Sequence, residues 1–261
     1  MNCIEISNLT KTYGSKTIAL DGLNLAVQCG KIVGFLGPNG AGKSTTINIL
    51  AGTVRKDSGD VEIFGNQVGN NDYEFKRRIG FVLESPIYFD KLSANEYLRF
   101  LASMYGIGQK DARSRAEELI EFFDLTDRQN DWIEKYSAGM KRRVSLAAAL
   151  VHKPELLILD EPLDGIDPIM AKRIKNLLRD FAGNNGTILI SSHNLDTVER
   201  ICDEVAIVYK GKLVFQSRTE DIRNRVKDDV TNETYQSLEE IFIDVVSDDG
   251  ERKEKKKLSW L

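Results

Sequence analysis

Histidine is almost absent, with two in 261 residues. Cysteine is nearly as scarce: Cys3, Cys29 and Cys202 are scattered, and none forms a C-x-x-C pair. This argues against a zinc site and against a disulfide framework, and it fits a reduced cytoplasmic setting. Long apolar runs are missing. The stretches 146–151 and 156–159 fall far below bilayer length, and the opening MNCIEISNLTK has no apolar core of signal-peptide length. Charge of one sign is not in excess either, since 36 basic and 40 acidic residues leave a net −4. These absences exclude an integral membrane protein, a secreted miniprotein and a basic nucleic-acid binder. What is present is the balance of a soluble globular chain, 41% hydrophobic and 29% charged, long enough to bury a full core without cross-links.

Hydrophobic periodicity divides the chain. Ile4 and Ile6 alternate with polar neighbours, as do Leu23, Leu25 and Val27, so both stretches read as strands with one buried face. Residues 31–37 form a continuous apolar run entering a glycine-rich turn, the pattern of a strand buried on both faces; 43–51 then reads as a helix. Short strands are expected at 61–65 and 79–83. Helical spacing takes over from 93 to 124, broken at Gly106 and Gly108, and reads as a helical insertion. Beyond it come a helix at 137–151, a buried strand at 156–160, a helix at 170–181, a strand at 187–191, a short helix at 195–202 and a hairpin around Lys210-Gly211. Strands alternating with helices imply an α/β fold with a parallel sheet flanked by helices. The tail beyond Arg218 is charged and helical in parts, and the run 252–257 (RKEKKK) reads as a solvated end.

Gly37-Pro38-Asn39-Gly40-Ala41-Gly42-Lys43-Ser44 matches the phosphate-binding pattern G-x-x-x-x-G-K-[ST], with a strand before it and a helix after. Glycines let several backbone N–H groups face one anion, and the helix adds its positive end. Lys43 can meet the β- and γ-phosphates, the Ser44 hydroxyl suits Mg²⁺, and Thr45 can add a donor. An ordinary glycine turn would explain Gly40 or Gly42, but not the Lys-Ser pair behind them. Asp160 and Glu161 end a buried apolar run, so they stand at the carboxyl end of a strand beside the loop. Asp160 can hold Mg²⁺ through water, and Glu161 can act as general base toward an attacking water.

Between these motifs lies Tyr136-Ser137-Ala138-Gly139-Met140-Lys141, opening a helix. It resembles the signature motif of ATP-binding-cassette (ABC) ATPases, usually written LSGGQ. Asp160-Glu161-Pro162-Leu163-Asp164-Gly165-Ile166-Asp167 resembles the family's Walker B motif and D-loop, and Ser191-Ser192-His193 its switch histidine. Tyr13 resembles the aromatic residue that stacks on adenine, whereas His152 has no such context and reads as structural. The resemblance spans about 2–217 and implies a P-loop NTPase core with an N-terminal antiparallel β-subdomain. A helical subdomain at about 85–150 would be inserted in it, with a separate tail at 218–261.

By that resemblance the chain binds ATP and Mg²⁺ and hydrolyses ATP. Asn39, Gly40, Ala41, Gly42, Lys43, Ser44, Thr45, Tyr13, Glu84, Ser137, Gly139 and Asp167 bind the nucleotide. Glu161, His193 and Lys43 are catalytic, and Ser44, Glu84 and Asp160 face the metal. The sequence departs from the family at Ala138 and Met140, and at Glu84, where glutamine is usual; a carboxylate there cannot donate a hydrogen bond unless protonated. The segment Glu84-Ser85-Pro86, with Tyr88 and Phe89, and the tail motif Ser237-Leu238-Glu239-Glu240-Ile241-Phe242 resemble the ABC-2 exporter branch that serves bacitracin, lantibiotic and multidrug resistance. The implied partners are a second cassette, identical or paralogous, and an integral-membrane permease contacted from the cytoplasmic face, with no nucleic acid. The alternatives are a non-transport ABC ATPase and an importer subunit. Most of Tyr88, Phe89, Leu92, Tyr97 and Phe100 are expected to pack within their own subdomain.

Overall fold

The computed structural model describes residues 1–14, 16–69, 74–85, 88–223 and 237–247. The alternating segments at the start form two long strands, β1 (Asn2–Tyr13) and β2 (Thr17–Gln28), paired antiparallel. Ile4, Ile6 and Leu9 share a buried face with Leu23, Leu25 and Val27. β1 also pairs with β4 (Ser58–Ile63), which pairs with β5 (Asn66–Gln67), giving a four-stranded antiparallel sheet in the order β2-β1-β4-β5. The strand expected at 61–65 thus begins at Ser58 and stops at Ile63, because Phe64 and Gly65 take positive φ (52° and 74°) and turn the chain.

The expectation against disulfides needs correction. Cys3 and Cys29 are joined by a disulfide, with their Cα atoms 5.0 Å apart. Their separation of 26 residues concealed the pair in the sequence. The register of β1 on β2, which sets Asn2 opposite Gln28, brings them together. Cysteine content therefore lends no support to a reduced compartment. Cys202 is free and buried, and burial pushes its thiol pKa up.

A second sheet of six strands has the order β10-β9-β3-β8-β7-β6. Its members are β3 (Ile32–Leu36), β6 (Ile79–Val82), β7 (Leu156–Asp160), β8 (Thr187–Ser192), β9 (Glu204–Tyr209) and β10 (Lys212–Arg218). All pairings are parallel except that of β10 with β9. β3 is buried along its whole length because it faces two cores. Val33 and Phe35 pack toward the antiparallel sheet and α1 (Lys43–Ala51), with Ile47 and Leu50. Ile32 and Leu36 pack toward the other helices with Leu157 and Ile190. The alternating β period thus explains an unbroken apolar run.

The helices of that second core are α4 (Ala138–Leu150), α5 (Pro168–Gly183) and α6 (Leu195–Ile201). The insertion consists of α2 (Ala94–Met104) and α3 (Gln109–Phe122), with Gly106 turning between them at φ 77°. Ser93 and Glu96 form a reciprocal capping box at the start of α2. Within the insertion Tyr97 is buried, and burial pushes its hydroxyl pKa up to about 12. Tyr88 is half-buried, its hydroxyl donating to the Lys141 carbonyl at 2.8 Å. Phe89 and Phe100, 55% and 40% exposed, instead stack edge-to-face at the surface.

Two further helices follow, α7 (Thr219–Arg223) and α8 (Leu238–Ser247). Leu238 and Ile241 of α8 are buried in the same core as Val198 and Ile201. The charged run 252–257 lies outside the described residues. No helix among the described residues is long and apolar enough to cross a membrane.

Candidate nucleotide site

β3 ends at Leu36, and the glycine-rich loop carries the chain to Lys43, the first residue of α1. Gly42 has φ 109°, and a Cβ there would lie 2.6 Å from both the Ala19 carbonyl oxygen and Leu20 Cδ2. Gly37 is equally confined, its Cβ position being 2.3 Å from the Val208 carbonyl. Only glycine lets β2, β9 and the loop approach this closely. The Lys43 side chain is 7% exposed and folds back over the loop, Nζ donating to the carbonyls of Gly37 (2.8 Å) and Pro38 (3.3 Å). A buried ammonium held only by carbonyl dipoles at the start of a helix is an arrangement suited to an anion. Asn39 and Gly40 are exposed, Ala41 is buried, and Ser44 and Thr45 are half-buried in the first turn of α1.

Two strands away, Asp160 ends β7 and is 1% exposed. Parallel register places it opposite Ser191 of β8. The Ser191 hydroxyl donates to Asp160 Oδ1 and accepts the Glu161 N–H at 3.0 Å. Asp160 Oδ2 is buried with no hydrogen-bond partner. A desolvated carboxylate oxygen in that state suits a cation. Glu161 turns sharply off the strand with φ 45°. Its Oε2 accepts the His193 N–H at 3.3 Å and lies 3.1 Å from His193 Nδ1. The Glu161 side chain is 15% exposed and that of His193 59%, so the pair looks outward from the carboxyl edge of the sheet.

Asp164, not among the residues expected from sequence, joins this pair: ligand atoms of Glu161, Asp164 and His193 all lie within 4.8 Å of one another. Its signal was an acid one turn past Glu161. Ser191 was also missed as a site residue, because its contact with Asp160 depends on strand register. Arg142 was missed too. Its Nη1 donates to the Leu83 carbonyl at 2.9 Å and to the Asp160 carbonyl at 3.4 Å, tying the ends of β6 and β7 together.

The remaining expected residues are spread wider. Tyr13 ends β1 at 43% exposure, on the hairpin whose residues Ala19 and Leu20 touch Gly42. Glu84 is exposed just past β6, at the far edge of the sheet from β3, and has no hydrogen bond or ion pair among the described residues. Ser137 caps α4, its hydroxyl accepting the Met140 N–H at 3.2 Å. Asp167 caps α5, accepting from Ile169 N (3.1 Å) and Met170 N (3.0 Å). Gly139 packs so closely on the turn before α5 that a Cβ would sit 2.6 Å from the Gly165 carbonyl. Neither Ser137 nor Gly139 shares a hydrogen bond with the phosphate loop. His152 is structural: its ring stacks on Tyr105 at 3.9 Å, and Nε2 meets the Ile79 carbonyl at 3.0 Å.

A phosphate loop on a central strand, with a carboxylate pair and a histidine at the same edge of the sheet, defines a P-loop nucleoside triphosphatase. Known proteins narrow the class. Residues 20–164 match the family pattern described as ABC transporter. The linearmycin resistance ATP-binding protein LnrL of Bacillus subtilis (strain 168) is 38% identical over 241 residues, covering 92% of this chain and 77% of that protein. The bacitracin transport ATP-binding protein BcrA of Bacillus licheniformis is 43% identical over 223 residues, covering 85% and 72%. Among solved structures, an ATP-binding subunit of an ABC transporter superposes with TM-score 0.83 at 28% identity, covering 93% of this chain and 99% of that one. A dimeric, post-hydrolysis cassette, MJ0796 bound to ADP and Pi, gives TM-score 0.76 at 25% identity, covering 83% and 98%. The chain belongs to the ABC transporter family as an ATP-binding subunit, and it is an ATP hydrolase.

Proposed function

We propose that this subunit drives an exporter of antibiotics or antimicrobial peptides through a separate integral-membrane permease, bound at the cytoplasmic face. The observation that carries the reading is the division of the site. The phosphate loop, Asp160 and the Glu161–His193 pair share one edge of the sheet, while Ser137 and Gly139 lie on α4 without a bond to that loop. Two cassettes arranged head to tail would complete two sites. In each, Tyr13 stacks on the base, and Asn39, Gly40, Ala41, Gly42, Lys43 and Thr45 cradle the phosphates. Ser137, Gly139 and Asp167 of the second cassette close over them. Ile169, 78% exposed beside Asp167, would then be covered.

The unpartnered Asp160 Oδ2 and the Ser44 hydroxyl would hold Mg²⁺, with Glu84 facing the same ion. When bound, the metal would supply charge neutralisation on the phosphate oxygens. Glu161 accepts the proton of the attacking water, and His193 orients the Glu161 carboxylate and faces the γ-phosphate. Loss of the γ-phosphate removes the charge that bridges the cassettes, and they separate. The ATPase domain is assigned to 1–217, with the helical subdomain at about 85–150 and a tail at 218–261. The exposed Phe89–Phe100 pair offers the permease an aromatic anchor. The relatives' resistance and transport roles support the cargo class.

Glu161→Gln should lower turnover by about 10²–10⁴-fold while keeping ATP affinity, and with ATP it should double its mass by light scattering. Purified from detergent-solubilised membranes, it should carry a multi-span partner. Wild-type turnover in the variant would sink the assigned base, and a soluble protein without that partner would sink the transport reading.

A further inference from the structure

At the end of the sheet opposite the phosphate loop, three arginines from three elements converge. Arg179 near the end of α5, Arg200 on α6 and Arg218 at the end of β10 line a cavity of about 730 Å³, together with Lys31 just before β3. Arg179 Nη2 donates to the Arg200 carbonyl at 2.5 Å, which fixes the Arg179 guanidinium at the end of α6. Among the described residues none of the four cations makes an ion pair. Three acids share the lining: Asp203, Glu204 and Glu220. Asp203 is already engaged, its Oδ2 accepting the Ile32 N–H at 2.9 Å. Thr219, also in the lining, is 4% exposed, and its hydroxyl has no hydrogen-bond partner.

The four cations outnumber the three acids of the lining, and none of them is tied up in an ion pair among the described residues, so the cavity keeps a net positive charge with free donors. An oxyanion complements that charge. Guanidinium forks and an ammonium are donors matched to phosphate oxygens, and the volume lies in the range of small-molecule sites, about 300–1,000 Å³. We propose that this cavity binds a phosphate-bearing small molecule. The site is distinct from the nucleotide site, since β3 separates them: Ile32 lines the cavity, and the strand's other end enters the phosphate loop. It is not remote from the chemistry, because α6 runs from just after His193 to Arg200 and Ile201 in the lining.

The test uses inorganic pyrophosphate as probe and the full-length Lys43→Ala protein, in which the phosphate loop has lost its ammonium. Calorimetry at low salt should show one bound equivalent. Adding Arg200→Gln and Arg218→Gln should weaken binding at least tenfold and leave the ligand-free melting curve unchanged, since both side chains are exposed. Should Lys43→Ala fail to fold, the same comparison in the otherwise wild-type chain saturated with ADP replaces it. Absence of binding, or binding that the arginine changes do not weaken, overturns the proposal. Neither result bears on ATP hydrolysis, which is read separately with Mg-ATP.

Discussion

Ser191 links the two acids at the end of β7. Its hydroxyl donates to Asp160 Oδ1 and accepts from the Glu161 backbone, holding Glu161 at a positive φ that costs about 1–3 kcal/mol without support. Ser191→Ala removes both contacts and should slow ATP turnover about tenfold, a loss of about 1–1.5 kcal/mol. A positioning residue acts on geometry, so kcat should fall with KM little changed; the reverse split in steady-state kinetics would assign Ser191 to nucleotide binding instead. His152 makes a different kind of prediction. Burial holds its imidazole below the ordinary 6.5, with the Ile79 carbonyl opposing in part. The unfolded chain therefore takes up this proton at a pH where the folded chain does not. The stability involved is complete above pH 6.5 and is lost as pH falls through the depressed folded value. Melting temperatures followed from about pH 8 to about pH 5 should fall more steeply for wild type than for His152→Gln.

Elements here are set by their ends as much as by their faces. α2 starts where Ser93 and Glu96 cap one another, Glu96 N donating to Ser93 Oγ at 3.3 Å and Ser93 N to Glu96 Oε2 at 2.9 Å. Ser93→Ala should cost about 1 kcal/mol in a urea melt, and Glu96→Gln less, since an amide oxygen still accepts. The helical subdomain should take that loss first, because α2 packs chiefly on α3 and α4. Ser137 also caps α4, its hydroxyl accepting the Met140 N–H, without a reciprocal side-chain bond. That capping bond accounts for the serine within one subunit. Gly139 shows the other constraint at this scale, with a backbone approach to Gly165 that leaves no room for a side chain.

For the molecule as a whole, the Cys3–Cys29 bond ties the first strand to the end of the second, just ahead of β3. Closing a loop between residues separated by 26 positions restricts the unfolded chain by about 3 kcal/mol. Reduction with dithiothreitol should therefore lower the melting temperature of the wild type and leave Cys29→Ser unmoved. Thiol labelling of the denatured, unreduced protein should find Cys202 alone reactive. An equal shift in both proteins, or full labelling of Cys3 and Cys29, would remove the bond from the native state in solution. The tail belongs to the same scale. α8 buries Leu238 and Ile241 against Val198 and Ile201, so truncation before Leu238 would expose core rather than trim a dangling end.

Much of the plan was legible in the chain. The continuous apolar runs that became β3 and β7, the glycine-rich turn and its Lys-Ser pair, and the helical insertion all follow from local periodicity and backbone stereochemistry, which act over a few residues and leave their mark in order. Long-range pairing leaves no such mark. The register of β7 on β8 joined Ser191 to Asp160; the register of β1 on β2 joined Cys3 to Cys29; the turn at Glu161 brought Asp164 beside His193. Glu84 was placed from motif order alone, while the sheet order β3-β8-β7-β6 sets its strand at the far edge. The residues by themselves determined the phosphate chemistry and the α/β alternation, because both are written in short spacings. Which distant side chains meet was decided by sheet order and register, since only the packed core fixes one register against the others.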